Sequence, residues 1–120
     1  MSRQLISSEK FPPKPHNCEC QAPAVKVPGL VFCAGQTATG EIKQATRTVL
    51  QNLKEVLELS GSSLKQVVKY NVYLADMKDF AAMNEVYIDF LPKPMPSRSC
   101  LQALAPGEGT AIEIECIAQA

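Results

Sequence analysis

The chain has 120 residues, 46% of them hydrophobic and 20% charged, and its twelve basic and twelve acidic side chains cancel. That length suits one domain, 1–120, which can bury roughly two thirds of the surface its unfolded form exposes and so folds without metal or disulfides. Balanced charge with no Lys/Arg cluster lacks the field that holds a polyanion, which makes nucleic acid an improbable partner.

Met1 to Lys10 contains no apolar run, and one Arg beside one Glu is unlike a transit peptide, so no membrane segment and a cytoplasmic location are expected. Five cysteines (18, 20, 33, 100 and 116), an odd number without a secretory signal, favour free thiols. Between Phe11 and Pro28 stand five prolines and the only histidine, His16. This stretch predicts an extended surface loop, excluding a long helix or an inner strand.

Leu30 to Ala34 predicts a short buried strand ended by Gly35-Gln36. From Glu41 to Ser60 the apolar residues Ile42, Ala45, Val49, Leu53, Val56 and Leu57 recur at helical spacing, and Gly61 is placed to stop the helix. Val67 to Ala75 alternates as a strand, and Asp76 can cap a second helix marked by Phe80, Met83, Tyr87 and Phe90-Leu91 and stopped by Pro92 and Pro94. Two last strands, about Ser97 to Leu104 and Ala111 to Ala118, flank a turn around Gly107 and are expected to pair as a hairpin.

One sheet with two helices predicts a two-layer α+β domain with both helices on the same face. In the hairpin, Ser97, Ser99, Leu101 and Ala103 would share the helix-covered face with Ile112, Ile114, Cys116 and Ala118. Arg98, Cys100 and Gln102 would share the other with Glu113, Glu115 and Ile117. Such a mixture suits neither a core nor a fully solvated surface, and points to contact with another subunit. Arg98 would lie opposite about Ile117, four residues from Glu113, on the order of 13 Å along the strand. If Arg98 and Glu113 act on one ligand, they are therefore expected to come from different subunits.

Arg98 stands among small and apolar residues, as an anion receptor would, because a guanidinium offers parallel N–H donors and keeps its charge when partly dehydrated. A structural ion pair with Glu113 or Glu115 explains it equally well. Glu113, set among isoleucines, is open between general base and counter-ion. His16-x-Cys18-x-Cys20 has no second metal-ligand pair elsewhere, and Cys100 could pair with no histidine but His16, so neither a metal site nor a cysteine nucleophile is expected.

Pro96-Ser97-Arg98-Ser99-Cys100-Leu101 followed by Ile112-Glu113-Ile114-Glu115 resembles the C-terminal signature of the Rid family, the reactive intermediate deaminases or YjgF-like proteins. Leu30 to Gln36, Val67 to Asp76, Asp79-Phe80, Asn84 to Tyr87 and Ile6-Ser7-Ser8 extend the resemblance over nearly the whole chain. It implies a chorismate-mutase-like fold, one mixed β-sheet with two helices on one face, assembled as a homotrimer with clefts between subunits. It also implies cofactor-free hydrolysis of 2-aminoacrylate and related 2-imino acids to 2-keto acids and ammonia. By motif, Arg98 would grip the substrate carboxylate, Glu113 and the backbone carbonyl of Cys100 would hold the water, and Gly35 and Asn84 would shape the pocket. Two departures stand out. Where the family has Gly-Pro-Tyr, with the tyrosine closing the pocket, this chain reads Asn17-Cys18-Glu19, and the link from Gln36 to the first helix is shorter. Cys18 and Glu19 would then line the substrate wall. A trimer that binds small carboxylates or keto acids without catalysis is the alternative, and RNA cleavage, attributed to some relatives, fits the neutral charge least.

Overall fold

The structure, a computed structural model, describes residues 3–16 and 19–120, with residues 14–16, 19 and 20 described by backbone alone. In chain order the elements are β1 (Gln4–Ile6), β2 (Lys14–His16), β3 (Glu19–Gln21), β4 (Ala24–Val27), β5 (Leu30–Thr39), α1 (Ile42–Leu59), β6 (Val67–Leu74), α2 (Phe80–Phe90), β7 (Ser97–Gln102) and β8 (Thr110–Gln119). β2 and β3 pair with each other, and the other strands form a six-stranded mixed sheet in the order β1-β4-β5-β8-β6-β7.

α1 forms where the apolar spacing predicts it. The Glu41 carboxylate accepts hydrogen bonds from the backbone N–H groups of Lys43, at 2.7 Å, and Gln44, at 3.1 Å, satisfying two donors that a helix start leaves open. At the other end Ser62 N–H donates to the Leu57 carbonyl and Gly61 N–H to that of Glu58. Gly61 takes the left-handed conformation, φ +80°, which this closing motif requires. Val49, Leu50, Leu53, Val56 and Leu57 are fully buried against the sheet. Each such leucine contributes roughly 2 kcal/mol of burial energy.

Alternation along the strands sets the two faces of the sheet. Val31, Cys33, Tyr70, Val72, Leu74, Ile112, Ile114, Cys116 and Ala118 point under the helices and are buried. Asn71, Tyr73, Glu113, Glu115 and Ile117 point the other way and are only partly covered. Among the described residues no helix packs on that second face. Leu5, Val25, Phe32 and Ile117, register neighbours across four strands, make an apolar row there.

Three expectations are corrected. β5 runs on through Gly35 to Thr39, because a register shift between Cys33 and Gln36 absorbs the glycine and pairing with β8 resumes beyond it. The proline-rich stretch does supply an inner strand: β4 lies between β1 and β5, since Ala24 to Val27 contains no proline and keeps every N–H for pairing.

The largest correction is to the last two strands. They do not pair. β7 runs parallel to β6 at the sheet edge, joined to it through α2, and β8 fits antiparallel between β5 and β6. A strand-helix-strand crossover returns its second strand parallel to the first, and this displaced the hairpin. Tyr70 is then the register partner of Arg98, Val72 of Cys100 and Leu74 of Gln102. Arg98, Cys100 and Gln102 therefore share the helix-covered face with Ile112, Ile114 and Cys116, while Ser97, Ser99 and Leu101 lie on the open face.

Candidate functional site

One half of the site is built around Arg98. It is half-buried on β7, and α2 crosses it with Phe80, Asn84 and Tyr87, spaced four and three residues apart and so lying on one helical stripe. The guanidinium NH1 donates to Asn84 Oδ1 at 2.7 Å. Its carbon sits 4.6 Å from the Tyr87 ring centroid and 5.5 Å from that of Phe80. Tyr70 of β6 meets the Tyr87 ring edge-on, with centroids 5.6 Å apart, so the wall behind the arginine is itself supported. Among the described residues no carboxylate lies within ion-pair distance of Arg98. Glu113 and Glu115 point to the other face of the sheet, so neither is placed for the structural pairing with Arg98 that the sequence left open.

Cys100 follows two residues later on the same face, partly buried. Burial pushes its thiol up from the ordinary value, with Arg98 opposing. A thiol held protonated is a poor nucleophile.

The second half lies at the β5 bulge. Glu113 pairs in register with Thr37 on one side and Tyr73 on the other. Its carboxylate rests on the Gly35 backbone: a Cβ built on Gly35 would stand 2.0 Å from Glu113 Oε2. Gly35 is required here for lack of a side chain, not for an unusual backbone angle. Beside it opens a cavity of about 550 Å³, lined by Lys10, Phe11, Gln21, Gly35, Gln36, Asn52 and Glu113 among others. Nearby, Asn71 Nδ2 donates to Glu115 Oε2 at 3.3 Å. The Tyr73 phenol is pushed up by burial first and then by Glu115 and Glu113.

The structure brings Arg98, Asn84 and Cys100 together, and separately Gly35 and Glu113. It does not bring the two groups together within one chain. Arg98 and Glu113 lie on opposite faces, with β6 between their strands. Arg98 aligns through Tyr70 with Cys116, three residues from Glu113. Two strand spacings and three residue rises put them about 14 Å apart in the sheet plane, and the cavity at Glu113 has no wall from Arg98. Cys18 lies outside the described residues, as does the side chain of Glu19, whose backbone belongs to β3. The next residues of that segment, Gln21 to Pro23, line the Glu113 cavity.

In the sequence Phe80 and Tyr87 stand out only as helix markers. Their spacing around Asn84 was the available signal that they flank one point. Lys10, Asn52 and Gln36 carried no comparable signal, because only the fold brings their segments to one cavity.

Among the described residues no group of three or more His, Cys, Asp or Glu is placed to hold a metal. Nor, among the described residues, is any helix long and apolar enough to cross a membrane.

The comparisons bear on the family and the fold. A family model described as Endoribonuclease L-PSP matches residues 15–120. The mitochondrial protein mmf2 of Schizosaccharomyces pombe is 46% identical, with 98% of each chain covered. The 2-iminobutanoate/2-iminopropanoate deaminase of Mus musculus is 38% identical over 75% of this chain and 67% of its own length. The crystal structure of RidA from an Antarctic Psychrobacter superposes with a TM-score of 0.85 at 34% identity, covering 98% of this chain and 99% of that one. With its mixed sheet, its arginine strand and this degree of likeness, the chain belongs to the endoribonuclease L-PSP family, that of the YjgF-like and Rid proteins.

Proposed function

We propose that the chain is one domain over 1–120 that assembles as a homotrimer and hydrolyses small 2-imino acids to 2-keto acids and ammonia without a cofactor. The observation that carries this reading is the state of Arg98: a half-buried cation walled by neutral groups, with no carboxylate among the described residues to balance it. A charge in that position is suited to an anionic ligand. Only one of its five N–H donors has a partner among the described residues, Asn84, which leaves enough for a two-point grip on a carboxylate.

The rest of the reading follows from the split site. Glu113 of a neighbouring subunit faces Arg98 across the cleft, and the open sheet face is the surface that the neighbour covers. Two features support that contact: the apolar row from Leu5 to Ile117, and the exposure of Phe32 (43%) and Leu101 (48%) on the same face. Arg98 holds the substrate carboxylate. Glu113 and the backbone carbonyl of Cys100 hold a water against the imine carbon.

The water oxygen bonds to that carbon while the C=N pair moves to nitrogen, and a water proton passes to Glu113 and on to the nitrogen. The hydroxyl proton of that adduct then passes by way of Glu113 to the nitrogen as the C–N bond breaks, so that ammonia leaves and the carbonyl of the keto acid forms. An iminium carbon is already electrophilic, so orientation and one proton acceptor suffice. Gly35 leaves room for the Glu113 carboxylate, and Asn84 acts through Arg98. The name of the mouse relative supports the substrate class.

Glu19 and Cys18, standing where the family has a tyrosine, favour the second reading, a trimer that binds small carboxylates or keto acids without turning them over. The family model's description adds an endoribonuclease, which the chain's balanced charge and single histidine do not favour. Generating 2-aminoacrylate or 2-iminobutanoate in situ with a dehydratase decides among them. The wild type should accelerate keto-acid formation and Arg98→Ala should not. Equal rates for both remove the deaminase reading. The mitochondrial name of the yeast relative competes with the cytoplasmic location expected from Met1 to Lys10, and fractionation of cells expressing the full-length protein decides between them.

A further inference from the structure

We infer that the α2 stripe of Phe80, Asn84 and Tyr87, backed by Tyr70, is a positioning cage that fixes the guanidinium of Arg98 for carboxylate binding; this rests on Arg98 being the carboxylate receptor. An arginine on an edge strand has four rotatable side-chain bonds and loses much rotamer entropy when it is fixed on a ligand. Here the loss is taken during folding. NH1 is tied to Asn84 at 2.7 Å, and the guanidinium carbon lies 4.6 Å from the Tyr87 ring and 5.5 Å from that of Phe80.

The cage is neutral throughout. An acidic residue in any of the three positions would fix the arginine equally well, but it would also cancel the charge that the ligand needs. Asn84 supplies the acceptor without the charge, and the two rings attract a cation through their faces without neutralising it.

The stripe is also rigid. Tyr87 is 2% and Tyr70 0% exposed, and their rings meet edge-on at 5.6 Å. Neither buried hydroxyl has a hydrogen-bond partner among the described residues. Both phenols therefore act here through their rings, and their O–H groups carry an unpaired burial cost. Removing the Tyr87 hydroxyl should leave the cage intact, whereas removing the ring should not.

The test measures binding of 2-oxobutanoate and of its uncharged analogue 2-oxobutanamide to wild type, Tyr87→Leu, Tyr87→Phe and Asn84→Ala by calorimetry, with imine hydrolysis followed in parallel. Tyr87→Leu and Asn84→Ala should each weaken 2-oxobutanoate about tenfold and leave the amide unchanged. Tyr87→Phe should restore the acid to within about twofold of wild type. Asn84 is only partly buried, so its variant keeps the test open if Tyr87→Leu does not fold. Folded variants that bind the acid as wild type does, or that lose acid and amide alike, overturn the cage. A wild type that binds the acid but hydrolyses no imine removes the deaminase reading and leaves the cage standing, while a wild type that binds neither removes both.

Discussion

A methyl group added at Gly35 would stand 2.0 Å from Glu113 Oε2, far inside van der Waals contact. The clashing atoms, Oε2, Cδ and Cγ, all belong to one flexible side chain, so the fold survives and the carboxylate moves. Gly35→Ala should therefore lower imine hydrolysis about a hundredfold, as displacing a reacting group by about an ångström does. Its thermal unfolding midpoint should stay within about two degrees of wild type. A fully active variant would show that the carboxylate's place on Gly35 is immaterial. At this scale the sequence was partly legible. A lone arginine among small residues and a glutamate between isoleucines stand out by residue type. Their environment was not legible, since Phe80 and Tyr87 look like any apolar markers of a helix until a strand is laid beneath them.

Between elements, α2 meets β6 through Tyr87 and Tyr70. Burial, the largest cause, pushes the Tyr87 phenol up to about 12 while Arg98 pulls the other way, and burial pushes Tyr70 higher still. Below about pH 10 these phenols are protonated in both folded and unfolded chains. Above it the unfolded chain releases protons that the folded one keeps, so stability is lost as pH rises. Cys116, raised by its hydrogen bond with Cys33 and then by burial, adds the same sign from about pH 9. The unfolding midpoint should be flat from about pH 7 to 8.5 and fall beyond, less steeply above pH 10 in Tyr87→Phe. A midpoint that rises with pH would contradict this. Elements were well read where the signal is local, as in α1 and its stop at Gly61. Partners were misread, because alternation assigns residues to alternate faces without saying which strand lies alongside. The hairpin reading of Ser97 to Ala118 thus put Arg98 on the wrong face.

For the whole molecule, the consequence of that correction is the separation of Arg98 from Glu113. They occupy opposite faces of one sheet, about 14 Å apart in its plane, and no side-chain movement brings them to a shared substrate. The hairpin register from which the sequence predicts their cooperation across subunits does not occur in the protein. The observed topology supports that cooperation on other grounds, since β6 stands between the two strands and the open face carries Glu113 beside exposed apolar residues. The proposed assembly was legible only as a sheet face that makes poor sense alone.

The most direct test of a site shared between subunits mixes two disabled chains. Arg98→Ala and Glu113→Gln should each be inactive alone, and chains refolded together in equal amounts should recover about a quarter of the wild-type rate. In a closed ring that share of clefts receives an intact arginine from one chain and an intact glutamate from the next. A mixture as inactive as its components would contradict the shared cleft.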